Sequence, residues 1–230
     1  MVERNSKPTE ILTLSVDLDD YYSRAYSNIA SQGAFGFASK LQHRQMERYG
    51  SLRGSIIESV IEVGAGQGQH IAFVDPNDYL EYIQTDIRPP IDTSQLPGIW
   101  VEASVEAASL PFSDGRFDRL IATCVLAHTA DPRTTLKEWR RVVRPGGLIT
   151  LYLPTDPNPL LSFLRMLGPK QARIREGFDP RIIYFDHRYQ YRYLKSAVEL
   201  EFNSSDVKVN RFPRFMPWWL SLWEIIQIRV

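Results

Sequence analysis

The stretch VIEVGAGQG at residues 60–68 decides the fold. Its first part is rich in β-branched residues and its second part carries three glycines, which is typical of a buried strand that runs into a tight turn. Glycine has no Cβ and tolerates positive φ, so such a turn lets the backbone approach a ligand closely. At the end of the first strand of a parallel sheet, this arrangement indicates a nucleotide site.

On both sides of this turn, short β-rich runs alternate with polar or helical stretches. This pattern predicts an α/β fold, with a doubly wound, mostly parallel seven-stranded sheet and crossover helices. We predict strands over residues 55–63, 80–86, 99–103, 117–124, 148–153, 206–212 and 222–229. We predict helices directly after the glycine turn and over residues 131–143 and 191–202.

The two remaining regions are expected to flank this sheet. Residues 16–49 are predicted to be helical with breaks near Gly33 and Gly36, as part of an N-terminal helical cover over residues 1–50. The main domain is predicted over residues 51–230. Within it, residues 154–189 show no clear period and are predicted to form an irregular insertion after the fifth strand.

Composition limits the possible partners and locations. Lysine plus arginine and aspartate plus glutamate both number 27, so the zero net charge disfavours nucleic acid as an obligatory partner. The single cysteine, Cys124, cannot form an intrachain disulfide, which fits a reducing compartment. The first seven residues carry no apolar stretch, so no signal peptide is expected. Prolines and charges interrupt the apolar residues 212–230, so we expect a cytoplasmic protein that is not integral to the membrane.

The acidic residue that follows the turn narrows the class of cofactor. Asp86 comes 18 residues after Gly68, close to the spacing of about 20 that is expected for a ribose-binding acid. A dinucleotide site would have a small residue at position 69, whereas this chain has Gln69 and its third glycine comes one residue early. That spacing suits the binding of a single nucleoside better than the binding of a pyrophosphate. The alternative to any nucleotide site is an ordinary strand-to-helix turn with a purely structural role.

Three further segments follow in order: LPFSDGRFD at 110–118, VLAH at 125–128 and EWRRVVRPGG at 138–147. Together with the glycine turn, they resemble the class I S-adenosylmethionine-dependent methyltransferase family over about residues 57–153. The resemblance implies a Rossmann-like fold, S-adenosylmethionine as cofactor, and methyl transfer to O or N of a small-molecule acceptor. A nicotinamide-dependent oxidoreductase and a catalytically silent methyltransferase-like binding protein are the alternatives.

The same resemblance implies which residues contact the methyl donor. Asp86 should accept the ribose hydroxyls, Ile87 could pack on the adenine, and one of the three residues 104–106 should meet its amino group. Glu62 either braces the turn or is paired locally, and Cys124 is interpreted as a wall residue rather than a nucleophile. The implied donor-binding set is Glu62, Gly64, Ala65, Gly66, Gly68, Asp86, Ile87, Ser104, Val105, Glu106, Thr123 and Cys124.

His128 is the candidate catalytic residue, because it follows the fourth strand where the family's acceptor pocket opens. It could act as a general base, since histidine titrates near neutrality, or only close over the cofactor, which is the reading we favour. The acceptor pocket would be built from the cover and the insertion. Its candidate residues are Tyr22, Tyr26, His43 and His187, and a packing role is the interpretation we favour for each of them. No metal site is predicted.

Overall fold

A computed structural model describes residues 14–26, 28–29, 33–50, 57–90, 92–94, 97–101, 104–203 and 205–230. Seven strands form one sheet in the order β3-β2-β1-β4-β5-β7-β6. They are β1 Ile57–Val63, β2 Tyr79–Thr85, β3 Ile99–Trp100, β4 Phe117–Thr123, β5 Val143–Pro154, β6 Asp206–Phe212 and β7 Trp223–Arg229. Predicted residues 55–56 and 102–103 lie outside the described residues.

The pairing of the strands confirms the predicted doubly wound, mostly parallel sheet. Strands β1 to β5 pair in parallel, whereas β7 runs antiparallel to both β5 and β6. The chain order reverses direction between β1 and β4, which lie side by side in the sheet. Ligands of open α/β sheets bind at such a reversal, beyond the carboxyl ends of the strands. The glycine turn follows β1 at this edge, and Cys124 follows β4.

Helices cover the two faces of the sheet. One face is covered by α3 (Pro132–Val142) and α7 (Tyr191–Glu201), whose buried Trp139 and Val198 belong to the largest core cluster, together with strand residues such as Leu120. The N-terminal helix α2 (Gly33–Gly50) contributes Met46 to a second cluster that contains Ile57 of β1 and Trp223 of β7.

Local sequence sets the bounds of α3 much as predicted. Asp131 caps the helix, because its carboxylate accepts hydrogen bonds from the backbone N–H groups of Arg133 and Thr134. Pro132 occupies the first helical position, where its missing N–H costs no hydrogen bond. Basic residues of the 138–147 segment are paired with carboxylates: Arg140 with Glu201, Arg141 with Asp114 and Glu138, and Arg144 with Asp118.

The helix predicted directly after the glycine turn is wrong. Residues 66–70 form turns, and only the short 3-10 helix Ile71–Phe73 follows before β2 begins at Tyr79. The segment from 74 to 78 is taken up by a turn in which the backbone N–H of Asp78 bonds to the carbonyl of Asp75. Helix α2 covers the sheet here instead, since it contacts the 3-10 helix, with His43 stacked on Phe73.

The N-terminal cover divides into two parts with different partners. A short α1 (Leu18–Asp20) leads into the π-helical turn Tyr21–Tyr26, and the long helix α2 starts at Gly33. Gly36 lies inside α2, so the break predicted there is wrong. Tyr21 and Ala25 of the π-helical turn form a small core with Phe178 and Ile182, far along the chain.

The insertion after β5 is helical, so the prediction of an irregular segment is wrong. It contains α4 (Pro159–Leu167), α5 (Pro169–Arg175) and α6 (Ile182–Asp186), each too short to give a clear period in the sequence. Asn158 caps α4 by accepting a hydrogen bond from the N–H of Leu161. No helix among the described residues combines the length and apolar character needed to cross a bilayer.

Candidate active site

The glycine turn bends at positions where glycine is required. Gly64, Gly66 and Gly68 all have positive φ, at 68°, 60° and 71°. A Cβ on Gly64 would lie 2.3 Å from a methyl carbon of Val125, so this position is closed to larger residues. The N–H groups of Gly64 and Ala65 both bond to the carbonyl of Thr85 on β2. Because these donors are already used, the turn offers a ligand mainly its carbonyl groups.

Asp86 completes the turn from the end of the second strand. One of its carboxylate oxygens accepts a hydrogen bond from the N–H of Gly66 at 2.9 Å, and the other accepts from the N–H of Arg88 at 2.7 Å. A carboxylate has about four acceptor sites, so both oxygens can still accept hydroxyl hydrogens. The half-buried Asp86 is therefore locked at the edge of the crevice with acceptor capacity left for a ribose.

An apolar surface lies beside this acid. Ile87 is 46% exposed and follows directly after Asp86, just beyond the buried end of β2. The N–H of Val105 bonds to the carbonyl of Asp86, and this bond brings the buried Val105 to the same edge, between the exposed Ser104 and Glu106. The arrangement offers an apolar wall and nearby polar groups, as a purine requires.

A buried charged network supports the turn from α2. Arg119 of β4 donates two hydrogen bonds to the carboxylate of Glu47, at 2.7 and 2.9 Å, and Nε2 of His70 lies 2.9 Å from the same carboxylate. Burial acts to raise the pKa of Glu47, but the contacts with Arg119 and His70 outweigh it and lower that pKa to about 2.

Glu62 is paired locally behind the turn. Its buried carboxylate accepts a hydrogen bond from the hydroxyl of Tyr82 at 2.8 Å. Desolvation raises the pKa of Glu62 to about 7, although His70 and the Tyr82 hydroxyl act in the opposite direction. Of the two predicted alternatives, the structure shows the local pairing directly.

His43 lies in this supporting network, apart from the other candidate pocket residues. Its Nδ1 is 2.8 Å from Nδ1 of His70, and its ring stacks on Phe73. Burial and the neighbouring His70 lower the pKa of His43 to about 3. His70 and Phe73 both follow the glycine turn, whereas His187 lies beside Cys124 and Tyr22 beside Asp186, so His43 belongs to a different cluster.

A cluster of ionisable side chains lies at the end of β4. Cys124 has a positive φ of 63°, the one such non-glycine residue in the described part of the chain, and the turn that follows carries His128. The insertion supplies His187, whose Nε2 lies 4.0 Å from the Cys124 sulfur. The rings of His128 and His187 meet edge to face, with their centres 4.7 Å apart. We call Cys124, His128 and His187 the Cys-His-His cluster.

Asp186 and Tyr22 adjoin the cluster. Nδ1 of His128 forms an ion pair with a carboxylate oxygen of Asp186 at 2.9 Å, without the alignment of a good hydrogen bond. The hydroxyl of Tyr22 donates a hydrogen bond to the same carboxylate oxygen. A hydrogen bond from the N–H of Arg188 to the carbonyl of Ala127 joins the insertion to the turn that follows β4.

These contacts set the charges of the cluster. Burial acts to raise the pKa of the Cys124 thiol, but hydrogen bonds with His128 and His187 outweigh it and lower the pKa to about 6. Burial acts to lower the pKa of His128, but Asp186 and Cys124 outweigh it and raise the pKa to about 10. Cys124 and His128 therefore carry opposite charges near neutral pH. Burial is the main reason that the pKa values of Tyr22 and Tyr26 are raised.

The glycine turn and the cluster share one crevice. Val125 touches Gly64 and is the neighbour of Cys124 in the chain. From the other side, the guanidinium of Arg88 lies over the ring of Tyr22, 4.8 Å from its centre, and pairs with Asp19 at 2.7 Å. The glycine turn and the ionisable groups thus lie together at the carboxyl ends of the neighbouring strands β1 and β4.

Sequence reasoning missed Asp186, Arg88 and Val125 as parts of the site. Asp186 directly precedes His187, and an adjacent acid and histidine within an aromatic segment is a signal that could have indicated it. Val125 lies within the VLAH segment, but only the structure shows that it limits position 64. Thr123, a half-buried member of the implied donor set, ends β4, and its hydroxyl contacts the sulfur of Met46.

Comparisons with known proteins agree with this geometry. A methyltransferase domain family model matches residues 61–151. An uncharacterized methyltransferase of Mycobacterium sp. (strain KMS) is 35% identical over 174 residues, which cover 70% of this chain and 67% of the relative.

Solved structures share the fold at low sequence identity. The CurJ carbon methyltransferase superposes with a TM-score of 0.62 at 21% identity, over 90% of this chain and 58% of its own. The Burkholderia thailandensis 1,6-didemethyltoxoflavin-N1-methyltransferase, solved with 1,6-didemethyltoxoflavin and S-adenosylhomocysteine, gives 0.59 at 14% identity, over 92% and 85% of the two chains. This chain spans less than two thirds of the CurJ structure.

The chain belongs to the class I S-adenosylmethionine-dependent methyltransferases. It is a methyltransferase whose cofactor is S-adenosylmethionine, so family membership decides between the two cofactor classes that the glycine turn leaves open. The site fits this cofactor: a tight backbone turn, a carboxylate with free acceptor capacity and an exposed aliphatic side chain match a methionine end, a ribose and an adenine.

Proposed function

We propose that this enzyme transfers the methyl group of S-adenosylmethionine to an oxygen or nitrogen atom of a small-molecule acceptor. The observation that carries the proposal is the meeting of the glycine turn with the Cys-His-His cluster through Val125. The turn fits the donor, and the cluster offers polar groups that can hold a heteroatom. The bound 1,6-didemethyltoxoflavin of the Burkholderia enzyme supports an acceptor of this size. We also propose that the enzyme acts in the cytoplasm, without nucleic acid or integral membrane partners.

The placement of the residues after β1, β2 and β4 supports the donor set that the family resemblance implies. We propose that Asp86 binds the ribose, that Ile87 packs on the adenine and that Ser104, Val105 and Glu106 border its amino group. We propose that Glu62, whose carboxylate accepts from the Tyr82 hydroxyl of β2, lies behind the turn as a supporting residue. The remaining proposed contacts are Gly64, Ala65, Gly66, Gly68, Thr123 and Cys124.

The acceptor side consists of residues from three segments. We propose that His128 is the catalytic residue that contacts the acceptor, with His187, Tyr22 and Tyr26 lining its pocket. Asp186 acts through His128 and Tyr22, so it is a positioning residue. S-adenosylmethionine supplies an electrophilic methyl group when bound, so these residues mainly align the acceptor and exclude water. Such alignment can contribute up to about 7–11 kcal/mol to the lowering of the barrier.

A labelled-methyl assay tests the function. The full chain is incubated with methyl-labelled S-adenosylmethionine and a panel of small hydroxy, amino, thiol and carbon acceptors, and the labelled product is identified by mass spectrometry. We expect the label on oxygen or nitrogen. Label found solely on carbon or sulfur, or solely on nucleic acid or protein, would overturn the proposal.

Asp186→Asn separates positioning from donor binding. Asparagine keeps an acceptor for Tyr22 but removes the charge that pairs with His128, so kcat should fall about 10–100-fold, less than the roughly 10²–10⁴-fold that a general acid or base itself contributes. The dissociation constant of S-adenosylmethionine should stay within about twofold by calorimetry. Asp179→Asn is the matched control, because Asp179 lies in the same insertion and pairs with Arg181. An equal fall in kcat in both variants would contradict the role of Asp186.

A further inference from the structure

The Cys-His-His cluster unites three side chains of the types that bind transition metals. One ligand atom from each of Cys124, His128 and His187 lies within 4.8 Å of the other two. In the part of the chain that the structure describes, this is the single group of three or more such side chains with this geometry. We propose that the Cys-His-His cluster binds a divalent cation of the zinc type.

The ligand types match this cation rather than a harder one. A thiolate and two imidazoles suit Zn²⁺ and its neighbours in the transition series, whereas Mg²⁺ and Ca²⁺ take oxygen ligands. Zinc binds sulfur at about 2.3 Å and nitrogen at about 2.0–2.1 Å, so a tetrahedral site separates its ligand atoms by about 3.3–3.6 Å. The 4.0 Å between the Cys124 sulfur and Nε2 of His187 is close to this separation.

Only small side-chain movements are needed to complete the site. The widest pair of ligand atoms, at no more than 4.8 Å, must approach by at most about 1.2–1.5 Å to reach tetrahedral spacing. Both histidines and the cysteine are half-buried, so their rings and sulfur can turn without uncovering a closed core. The backbone is already held by the bond from Arg188 to Ala127, which joins the two segments that carry the ligands.

Asp186 provides the support that such sites commonly have. Histidine ligands of metals usually contact a carboxylate or carbonyl through the other ring nitrogen, which fixes the orientation of the ring. Asp186 contacts His128 at 2.9 Å and is itself bonded by the Tyr22 hydroxyl. Sequence spacing does not predict this arrangement, because the ligands lie on separate segments that only the fold brings together.

Three protein ligands leave one position of a tetrahedral ion open, which is the pattern of catalytic rather than structural zinc sites. That position lies next to the crevice, since Val125 links Cys124 to the glycine turn. An acceptor hydroxyl or amine bound there would release its proton to solvent more readily, and His128 would then act on the acceptor through the cation. Its lone pair would then form the new bond to the methyl carbon, while the carbon–sulfur bond breaks and its electron pair stays on S-adenosylhomocysteine. This use of the site rests on the proposed function, whereas cation binding itself does not.

Cobalt substitution tests the site without any enzyme turnover. The full chain is treated with chelator, titrated with Co²⁺ and followed by the thiolate-to-cobalt charge-transfer absorbance, with Zn²⁺ as competitor. We expect one Co²⁺ per chain, a charge-transfer band, and its loss when Zn²⁺ is added. Cys124→Ser should abolish the band, and His187→Gln should weaken Co²⁺ binding by at least about tenfold.

The control variant is His43→Gln, because it removes a histidine from the network behind the turn and should leave the band and the Co²⁺ affinity unchanged. Circular dichroism of each variant verifies folding. Absence of the band in the unmodified chain, or equal Co²⁺ affinity after Cys124→Ser, would overturn the inference. Two measurements on the same samples separate the two proposals: calorimetry reports the binding of S-adenosylmethionine, and the labelled-methyl assay reports transfer. Donor binding and methyl transfer without Co²⁺ binding would refute the cation site alone. Co²⁺ binding in a chain that methylates no oxygen or nitrogen acceptor would refute the proposed function alone.

Discussion

The proposed donor half of the crevice centres on residues 60–88, with further members at residues 104–106 and 123–124, whereas the proposed acceptor half gathers side chains from residues 22–26, 128 and 186–187. On the donor side, the glycine turn and the acid that follows β2 are close in sequence, and Gly66 and Asp86 are joined by a hydrogen bond. On the acceptor side, the partners Tyr22 and Asp186 are 164 positions apart. The donor half therefore depends on one local turn, whereas the acceptor half depends on packing between segments that are distant in sequence.

This difference has consequences for specificity. A donor that never changes can be held by backbone groups, which most substitutions leave in place. An acceptor that differs between enzymes has to be recognised by side chains, and the side chains proposed for this role lie on the cover, on the insertion and on the turn after β4, outside the strands of the sheet. The two halves should therefore respond differently when a single side chain is changed.

The largest effect is expected from the network that supports the donor half. Glu47→Gln leaves Arg119, which is 2% exposed, without its charged partner, so the free energy of unfolding should fall by about 3–5 kcal/mol. Because the pKa of Glu47 is lowered to about 2, this stabilisation is present above about pH 4.5 and is lost as the pH falls towards 2. Denaturant unfolding at pH 7 measures it.

Glu81→Gln is the matched control for Glu47→Gln. Glu81 pairs with Arg116 at the surface, where both side chains are about one third exposed, so its removal should cost no more than about 1 kcal/mol. Equal losses from the two substitutions would show that the buried pair adds nothing beyond a surface contact. In that case the glycine turn, without the buried Glu47–Arg119 pair, would hold the donor half in place.

The donor half could be predicted from sequence because its information is local. The glycines, the strand before them and the spacing to Asp86 are all visible within one short stretch, and the sheet follows from runs of β-branched residues. The helix expected after the turn could not be judged locally, because α2, from the other side of the sequence, covers that position. The contacts of Asp186 depend on how the insertion packs on the π-helical turn, and this packing cannot be predicted from the spacing of residues in the sequence.

The next largest effect tests the donor half directly. Asp86→Ala removes the carboxylate proposed to accept the ribose hydroxyls and also frees the N–H of Gly66. Hydrogen bonds to a charged group contribute about 1.5–3 kcal/mol, so the dissociation constant of S-adenosylmethionine should rise about 10–150-fold by calorimetry. Asp75→Ala, in the same connection between β1 and β2, should leave it unchanged. Unaltered affinity after Asp86→Ala would remove Asp86 from the proposed donor set.

The smallest expected effect depends on pH and concerns Glu62, behind the turn. Burial raises the pKa of this carboxyl to about 7 in the folded protein, above the 4.5 of an exposed glutamate. Because the pKa is higher in the folded protein, the stabilisation that comes from the protonated Glu62 carboxyl is full below about pH 4.5 and is lost as the pH rises through 7. The side chain of Glu62→Gln stays neutral and keeps an acceptor for Tyr82. The free energy of unfolding of the variant, relative to that of the parent, should therefore rise by about 1–2 kcal/mol between pH 5 and pH 8.

Denaturant unfolding at the two pH values measures this gain, with Glu58→Gln on the exposed face of the same strand as the control. The control should show no such change between pH 5 and pH 8. If Glu62→Gln gave the same difference in stability from the parent at both pH values, Glu62 would be ionised throughout. The donor half would then carry a buried negative charge beneath its glycine turn, and electrostatic attraction to the cationic donor would have to be added to the backbone contacts.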